Sequence, residues 1–178
     1  LYGWPNINSH FGVIDEAGFP KDNYYYHQTV FFTPEQKPLA HIVPMHWNFQ
    51  SKKNVDVWAY TNGDSAELFL NNKSLGVQNM TTCRHVEWKV PYEPGTLRVQ
   101  AYKDGSPFSK DVVETHSEPA AIQLTTDWPL SKKLRADNTD TALVTISVVD
   151  AAGRVARSFS PDSSQKITFS LAGEGKII

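Results

Sequence analysis

From Pro38 onward the sequence alternates apolar and polar residues with a period of two, and this pattern restricts most of the chain to β structure. In the segment 55–61, Val55, Val57 and Ala59 form an aliphatic face, and a largely aromatic face lies opposite. Similar short segments recur at roughly ten-residue intervals, with no helical pattern between them. The pattern therefore predicts a mainly β fold, an antiparallel β-sandwich of immunoglobulin type with about six or seven strands.

Turn residues separate the predicted strands of this first β region. Asn71-Asn72 predicts a tight turn because asparagine tolerates positive φ, and Asp104-Gly105 predicts another. Pro44 removes an amide donor, so its segment is expected to be an edge strand or to break there. The expected strands are 39–47, 55–61, 67–70, 74–78, 85–90, 97–103 and 110–115.

A second β region is expected after Glu118-Pro119. Its predicted strands are 121–125, 142–150, possible 154–158, and 166–171. About four strands are fewer than a sandwich needs to cover both of its faces. This region is therefore expected either to be truncated or to borrow strands from a partner.

Residues 22–32 predict a single short helix before the β regions. Asp22 is placed to cap its N-terminus through a side-chain oxygen. The aromatic residues of the segment leave no clean polar face, which favours a helix packed on more than one side by neighbours outside this chain. Without those neighbours, the apolar surface is expected to dock on the sandwich, to pair with a second copy or to remain mobile.

Composition excludes several classes of partner and cofactor. The 17 Lys and Arg residues against 19 Asp and Glu residues give a net charge of −2 without a basic stripe, which argues against nucleic acid. No segment is apolar and long enough to span a membrane. Cys83 is the single cysteine, so neither an internal disulfide nor a cysteine-based metal cluster can form. The histidine spacings match no common metal motif, and no cofactor is expected.

Several segments resemble family 2 glycoside hydrolases, in particular the β-galactosidase-like enzymes of Bacteroidetes. SHFGVIDEAGFPKDNYYY, at 9–26, resembles the end of their (β/α)₈ catalytic barrel, and AELFLNNKSLG and WKVPYEPGTLRVQAYKDG resemble the β-sandwich that follows. ADNTDTALVTISVVDAAGRV resembles the first half of a bacterial immunoglobulin-like domain. The resemblance implies a barrel remnant at 1–37, a sandwich at 38–117 and a truncated second domain at 118–178. We expect both ends to be cuts in a longer protein whose missing barrel is the partner of this chain.

The resemblance also bears on catalysis. Family 2 enzymes are retaining and use two glutamates about 5 Å apart, both upstream of the segment that begins this chain. No residue here matches either glutamate, and the adjacent Asp15 and Glu16 are not expected to be catalytic. The parent is expected to act on carbohydrate and, by family, to be periplasmic or secreted, whereas this chain is expected to be inactive.

Trp4 is the one candidate substrate-binding residue, and only in the full-length parent. Its loop would lie at the barrel face where active sites form. The alternative is that Trp4-Pro5 packs this loop against the barrel rim.

Two functions from different classes remain open at this stage. The first is a non-catalytic accessory segment that supports the barrel. The rival is a carbohydrate-binding module, in which exposed aromatic rings stack on sugars. Its candidate rings are Trp47, Trp58, Tyr60, Trp88 and Tyr92. A third possibility is a protein contact through unpaired strand edges of the second β region.

Overall fold

The period-two pattern folds into antiparallel strands, with one short helix before them. The computed structural model describes residues 12–15, 18–49, 54–81, 85–127, 135, 140–156 and 167–173. Within these ranges the elements are α1 (Asp22–Phe31), β1 (Ala40–Val43), β2 (Asn54–Thr61), β3 (Ser65–Leu70), β4 (Lys73–Asn79), β5 (His85–Pro91), β6 (Thr96–Lys103), β7 (Ser106–Glu114), β8 (Pro119–Thr126) and β9 (Val144–Asp150). The predicted mainly β, immunoglobulin-like fold with one N-terminal helix is confirmed. The chain forms two compact units, 1–115 and 116–178.

The first unit is a sandwich of two antiparallel sheets. One sheet has the strand order β1-β2-β5 and the other has the order β4-β3-β6-β7. Neighbouring strands that are not consecutive, β2 with β5 and β3 with β6, show that the chain crosses between the layers, as immunoglobulin-type sandwiches do. The core lies between the sheets and contains the inward residues Val57, Leu68, Val90, Leu97 and Val99.

Two turns at one end of the sandwich are joined through the side chain of Asn71. Asn71 and Asn72 have φ values of 49° and 67°, as their sequence predicts for a tight turn between β3 and β4. The Asn71 Oδ1 accepts the Thr96 N–H at 2.9 Å, and its Nδ2 donates to the Pro94 carbonyl at 3.1 Å. A Cβ at Gly95, where φ is 141°, would clash with the Asn71 amide. Glycine at 95 therefore permits both the backbone conformation and the contact between the turns.

The second unit contains a two-stranded ladder, β8-β9, whose end is organised by the buried Asp150. The Asp150 carboxylate accepts the N–H groups of Ser117, Ala152 and Arg154. The Arg154 guanidinium also donates to it, at 2.8 Å from Nε and 2.7 Å from the terminal nitrogen. The backbone N–H of Ser117 and the donors from Arg154 and Ala152 hold the pKa of Asp150 well below its usual range.

The predicted strand at 166–171 is not observed over its described residues. Residues 167–171 are not in a strand, and the apolar side chains of Ile167, Phe169 and Leu171 are exposed. Alternation alone does not form a strand without a partner edge to pair with. In the possible strand 154–158, Val155 makes an isolated bridge to Val149, and 157–158 lie outside the described residues.

We expect Asp150→Asn to destabilise the second unit at neutral pH. Because the folded-state pKa is lowered, the stabilisation by Asp150 is fully present above about pH 4, where the unfolded carboxyl is ionised, and is lost as the pH falls through the folded-state value. Amide hydrogen exchange over β8 and β9 should be about tenfold faster in the variant at pH 7, the size expected for one lost charge-assisted hydrogen bond. Asp127→Asn is the matched control, since exposed Asp127 accepts the Leu143 N–H at the other end of the ladder. Equal acceleration in both variants would contradict the special role of Asp150.

Candidate functional site

The outer face of the three-stranded sheet receives helix α1. His41 of β1 and Tyr60 of β2 lie opposite each other in the ladder, on the face away from the core, and both are buried. Tyr25 of α1 stacks on the His41 ring with the ring centroids 3.8 Å apart and 17° between their planes. Tyr26 meets Tyr60 edge to face at 5.4 Å. Aromatic contacts therefore seat one side of the helix on the sandwich.

His41 also lies between two carboxylates from different elements, and we name this set the Asp22–His41–Asp111 cluster. Its Nε2 is 2.8 Å from Oδ1 of Asp22 in α1, and its Nδ1 is 3.5 Å from Oδ2 of Asp111 in β7. Asp111 additionally accepts the Ile42 N–H of β1 at 2.8 Å. The cluster thus connects the helix, the edge strand of one sheet and the edge strand of the other.

The groups of the cluster shift one another's pKa values toward their charged forms: the pKa of His41 is raised and that of Asp111 is lowered. Burial disfavours an imidazolium, but the hydrogen bonds and charges of Asp111 and Asp22 outweigh it, so the pKa of His41 is raised. Burial would raise the pKa of Asp111, yet the His41 and Ile42 hydrogen bonds lower it on balance. The arrangement favours a protonated imidazole between the carboxyl groups of Asp22 and Asp111.

Asp22 does not cap the helix as the sequence predicted. Lys21 occupies the N-cap position without a side-chain cap hydrogen bond, and Asp22 is the first helical residue. Its carboxylate instead contacts His41, since pairing with a buried cation is stronger than a hydrogen bond to a solvated helix end. The acidic side chain remains favourable in the first turn of the helix.

The connection from α1 to β1 is fixed by the buried amide of Asn62. Its Nδ2 donates to the carbonyls of Phe32 and Lys37, at 3.1 and 2.9 Å. Its Oδ1 accepts the Leu39 N–H at 3.0 Å, and the Thr61 hydroxyl donates to the Leu39 carbonyl at 2.6 Å. One side chain at the end of β2 therefore satisfies three backbone groups of the connection.

Only one side of α1 is covered by the sandwich. Gln28 and Thr29 are buried, whereas Val30, Phe31 and Phe32 are exposed, Phe31 by 74%. The expectation that all of its neighbours lie outside this chain is wrong for the covered side, because β1 and β2 supply them. The exposed side is an apolar surface at the C-terminal end of the helix.

Of the two adjacent carboxylates considered for catalysis, only Asp15 lies within the described residues. Asp15 lies in a turn, where its Oδ1 accepts the Phe19 N–H at 2.8 Å, and Glu16 lies outside the described ranges. Trp4, the candidate substrate-binding residue, also lies outside them. Over the ranges that the structure covers, no group of three or more His, Cys, Asp or Glu side chains has an arrangement that could hold a metal ion. No helix in these ranges is long and apolar enough to cross a membrane.

The aromatic residues considered for sugar binding are mostly inside the sandwich. Trp47 and Trp88 are buried, and their indole N–H groups donate to the carbonyls of Glu93 and Gly76. Tyr92 packs against the core, and Tyr60 lies beneath Tyr26. Trp58 alone of the five candidates is exposed, by 38%, with the His85 ring stacked at 5.1 Å. A row of exposed rings, which a carbohydrate-binding surface would need, is not formed by these five residues.

Comparison with known proteins relates this architecture to one enzyme family. Residues 52–108 match a family described as a domain of unknown function, DUF4982. A β-galactosidase of Bacteroides ovatus is 39% identical over 178 residues, which is 99% of this chain and 20% of the relative. A β-glycosidase structure from Bacteroides vulgatus matches 85% of this chain and 19% of its own, with 31% identity and a TM-score of 0.77. A glycosyl hydrolase family 2 member from Bacteroides cellulosilyticus matches 83% of this chain and 22% of its own, with 28% identity and a TM-score of 0.73.

The resemblance to family 2 glycoside hydrolases is confirmed. This chain spans about a fifth of the length of the relatives that it matches. It therefore corresponds to a segment of those family 2 proteins, and the helix-bearing sandwich described above is part of that segment.

Two residues of the helix contact were not identified from the sequence of this family 2 segment. Asp111 reaches His41 from a strand about seventy residues away in sequence, and no local pattern signals such a pairing. The dipeptide Asn62-Gly63 ordinarily indicates a turn, so the burial of the Asn62 side-chain amide was not expected. The available signal was the position of Asn62, a polar residue directly after a half-buried strand.

We expect Asn62→Ala to destabilise the first unit by about 1–3 kcal/mol, because it leaves the buried Leu39 N–H and the partly buried carbonyls of Phe32 and Lys37 without their partner. Urea unfolding followed by fluorescence of the buried Trp47 and Trp88 measures this change. Asn79→Ala is the control, since Asn79 is exposed on the edge strand β4 and its loss should cost less than about 0.5 kcal/mol. Similar midpoints for the two variants would show that the Asn62 amide does not hold the connection.

Proposed function

We propose that this chain is a non-catalytic C-terminal accessory segment of a retaining β-galactosidase-like glycoside hydrolase. The observation that carries the proposal is the attachment of α1, which is held to the sandwich on one side and presents Val30, Phe31 and Phe32 on the other. A helix that is held to the sandwich on one side and exposes apolar side chains elsewhere suits a position between the sandwich and a second body. The segment would thereby fix the sandwich against the catalytic barrel.

The proposed parts are a barrel remnant at 1–37, a sandwich at 38–117 and the beginning of a second immunoglobulin-like domain at 118–178. In this arrangement α1 belongs to the end of the barrel and is also fastened to the sandwich by Asn62 and the Asp22–His41–Asp111 cluster. The parent protein would hydrolyse O-glycosidic bonds in carbohydrates, outside the cytoplasm, in the periplasm or after secretion. Both glutamates of the retaining reaction would be supplied by the barrel.

The contacts of His41 support a structural role for the one buried acid–base cluster described here. Both ring nitrogens face carboxylates, and Tyr25 covers the ring, so the imidazole is not placed to exchange a proton with a substrate. The cluster therefore serves the proposed accessory role by holding α1 in place.

Hydrolysis assays test the proposal directly. The 178-residue chain is expected to release no p-nitrophenol from p-nitrophenyl β-galactoside above the rate in buffer. The longer polypeptide that adds the catalytic barrel is expected to release it, and p-nitrophenyl β-glucuronide serves as the comparison substrate. Turnover by the 178-residue chain alone, retained after repurification, would refute the non-catalytic assignment.

Trp4 is proposed as a sugar-contacting residue of the parent, on the resemblance of its loop to the barrel face where substrates bind. In the longer polypeptide, Trp4→Ala is expected to raise KM for the β-galactoside by about two- to tenfold, the size expected for loss of one aromatic stacking contact. Trp58→Ala in the same polypeptide is the control and should leave KM unchanged. An unchanged KM in Trp4→Ala would favour the alternative that Trp4 only packs the loop.

A further inference from the structure

We propose that the Asp22–His41–Asp111 cluster is a pH-sensitive latch, which fastens α1 to the sandwich when His41 is protonated and loosens it when His41 loses its proton. The inference rests on the contacts within the first unit and does not depend on the proposed function. It concerns the attachment of one helix rather than the stability of the whole sandwich.

The geometry of the imidazole is the basis of the latch. An imidazolium donates hydrogen bonds from both ring nitrogens, whereas a neutral imidazole donates from one and presents a lone pair at the other. Nε2 and Nδ1 of His41 face Asp22 and Asp111 respectively, at 2.8 and 3.5 Å. Whichever nitrogen keeps its proton in the neutral form, the other lone pair faces a carboxylate. Deprotonation therefore replaces an attractive contact by a repulsive one.

Loss of the proton also leaves two negative charges with no positive charge between them. Asp111 stays in place because the N–H groups of Ile42 and Val112 donate to it, each at 2.8 Å. Asp22 is on the helix, and its side chain is 34% exposed, so it can move toward water. The repulsion is therefore relieved by displacement of the N-terminal turn of α1.

Other groups around His41 do not replace its charge in the described residues. From α1 the ring is faced by Asp22 and by the phenol of Tyr25, from β2 by the phenol of Tyr60, and from β7 by Asp111. The pKa of Tyr60 is raised by burial and then by the charge of Asp22, so this phenol stays neutral near pH 8. No charged side chain of β6, which also packs against β1, bears on His41.

The pH range of the latch follows from the direction of the His41 shift. Because the folded-state pKa is raised, the stabilisation is fully present below about pH 6.5, the value of a free imidazole, and is lost as the pH rises through the folded-state value. The helix should therefore be held most firmly in mildly acidic solution and be looser in mildly alkaline solution.

Hydrogen exchange of the 178-residue chain between pH 5.5 and 9 tests the latch. Exchange rates are corrected for the intrinsic pH dependence of amides, and β6, a central strand, serves as the internal reference. The protection of α1 relative to β6 is expected to fall about tenfold across this range, the size expected for one charge-assisted hydrogen bond. If the protection of α1 and that of β6 change in parallel with pH, the proposal is overturned.

Three variants identify the group responsible. His41→Gln should abolish the pH response of α1, and Asp22→Asn, a mild change at a half-buried site, should weaken it and lower the NMR titration midpoint of His41. His85→Gln is the matched control, because His85 lies on the same sheet with Glu87 at 3.0 Å, and it should leave the response unchanged. If His41→Gln does not fold, the Asp22→Asn result decides. The latch would be refuted if α1 protection kept its full pH dependence in Asp22→Asn. It would also be refuted if that pH dependence were lost in His85→Gln.

Discussion

The contact between buried His41 and two carboxylates is the interaction on which the position of helix α1 on the sandwich depends. His41, Asp22 and Asp111 come from three elements that are not consecutive in a sheet, so their contact joins parts that backbone hydrogen bonding leaves separate. Charged groups are rarely buried unless they are paired, and here each has a partner. The sandwich core stabilises the two sheets, whereas this cluster determines where the helix lies on them.

The Asn62 amide complements the ionic contact at the opposite end of α1. Ion pairs depend on pH, whereas hydrogen bonds from a neutral amide do not, so the two ends of the helix are attached by contacts with different sensitivities. The C-terminal end remains tied through Phe32 and Lys37 under conditions in which the N-terminal end loosens. Such a helix pivots about its C-terminal end rather than leaving the sheet.

Local sequence patterns were sufficient to predict most of the fold, but they did not predict the contacts that hold the helix. Strict alternation in 55–61 and 97–103 and the Asn71-Asn72 turn are short-range features, and the structure has the strands and the turn at those positions. The helix was also predicted within one residue of its end. The carboxylate of Asp22, however, contacts His41 and does not cap the N-terminus of the helix. Asp111 and Asn62 act across long stretches of sequence, and only the folded chain brings them to the helix. At 167–171 the alternation was present but a pairing edge was missing from the described residues, and the strand prediction failed.

The contact between Asn71 and Gly95 bears on how this end of the sandwich tolerates substitution. Because any side chain at 95 would occupy the space of the Asn71 amide, a change at one position alters what the other can accept. The two turns are therefore coupled sterically, even though each turn belongs to a different pair of strands. Even with a shorter side chain at 71, the φ of 141° at position 95 would still favour glycine there, so the backbone conformation and the close approach impose the same requirement.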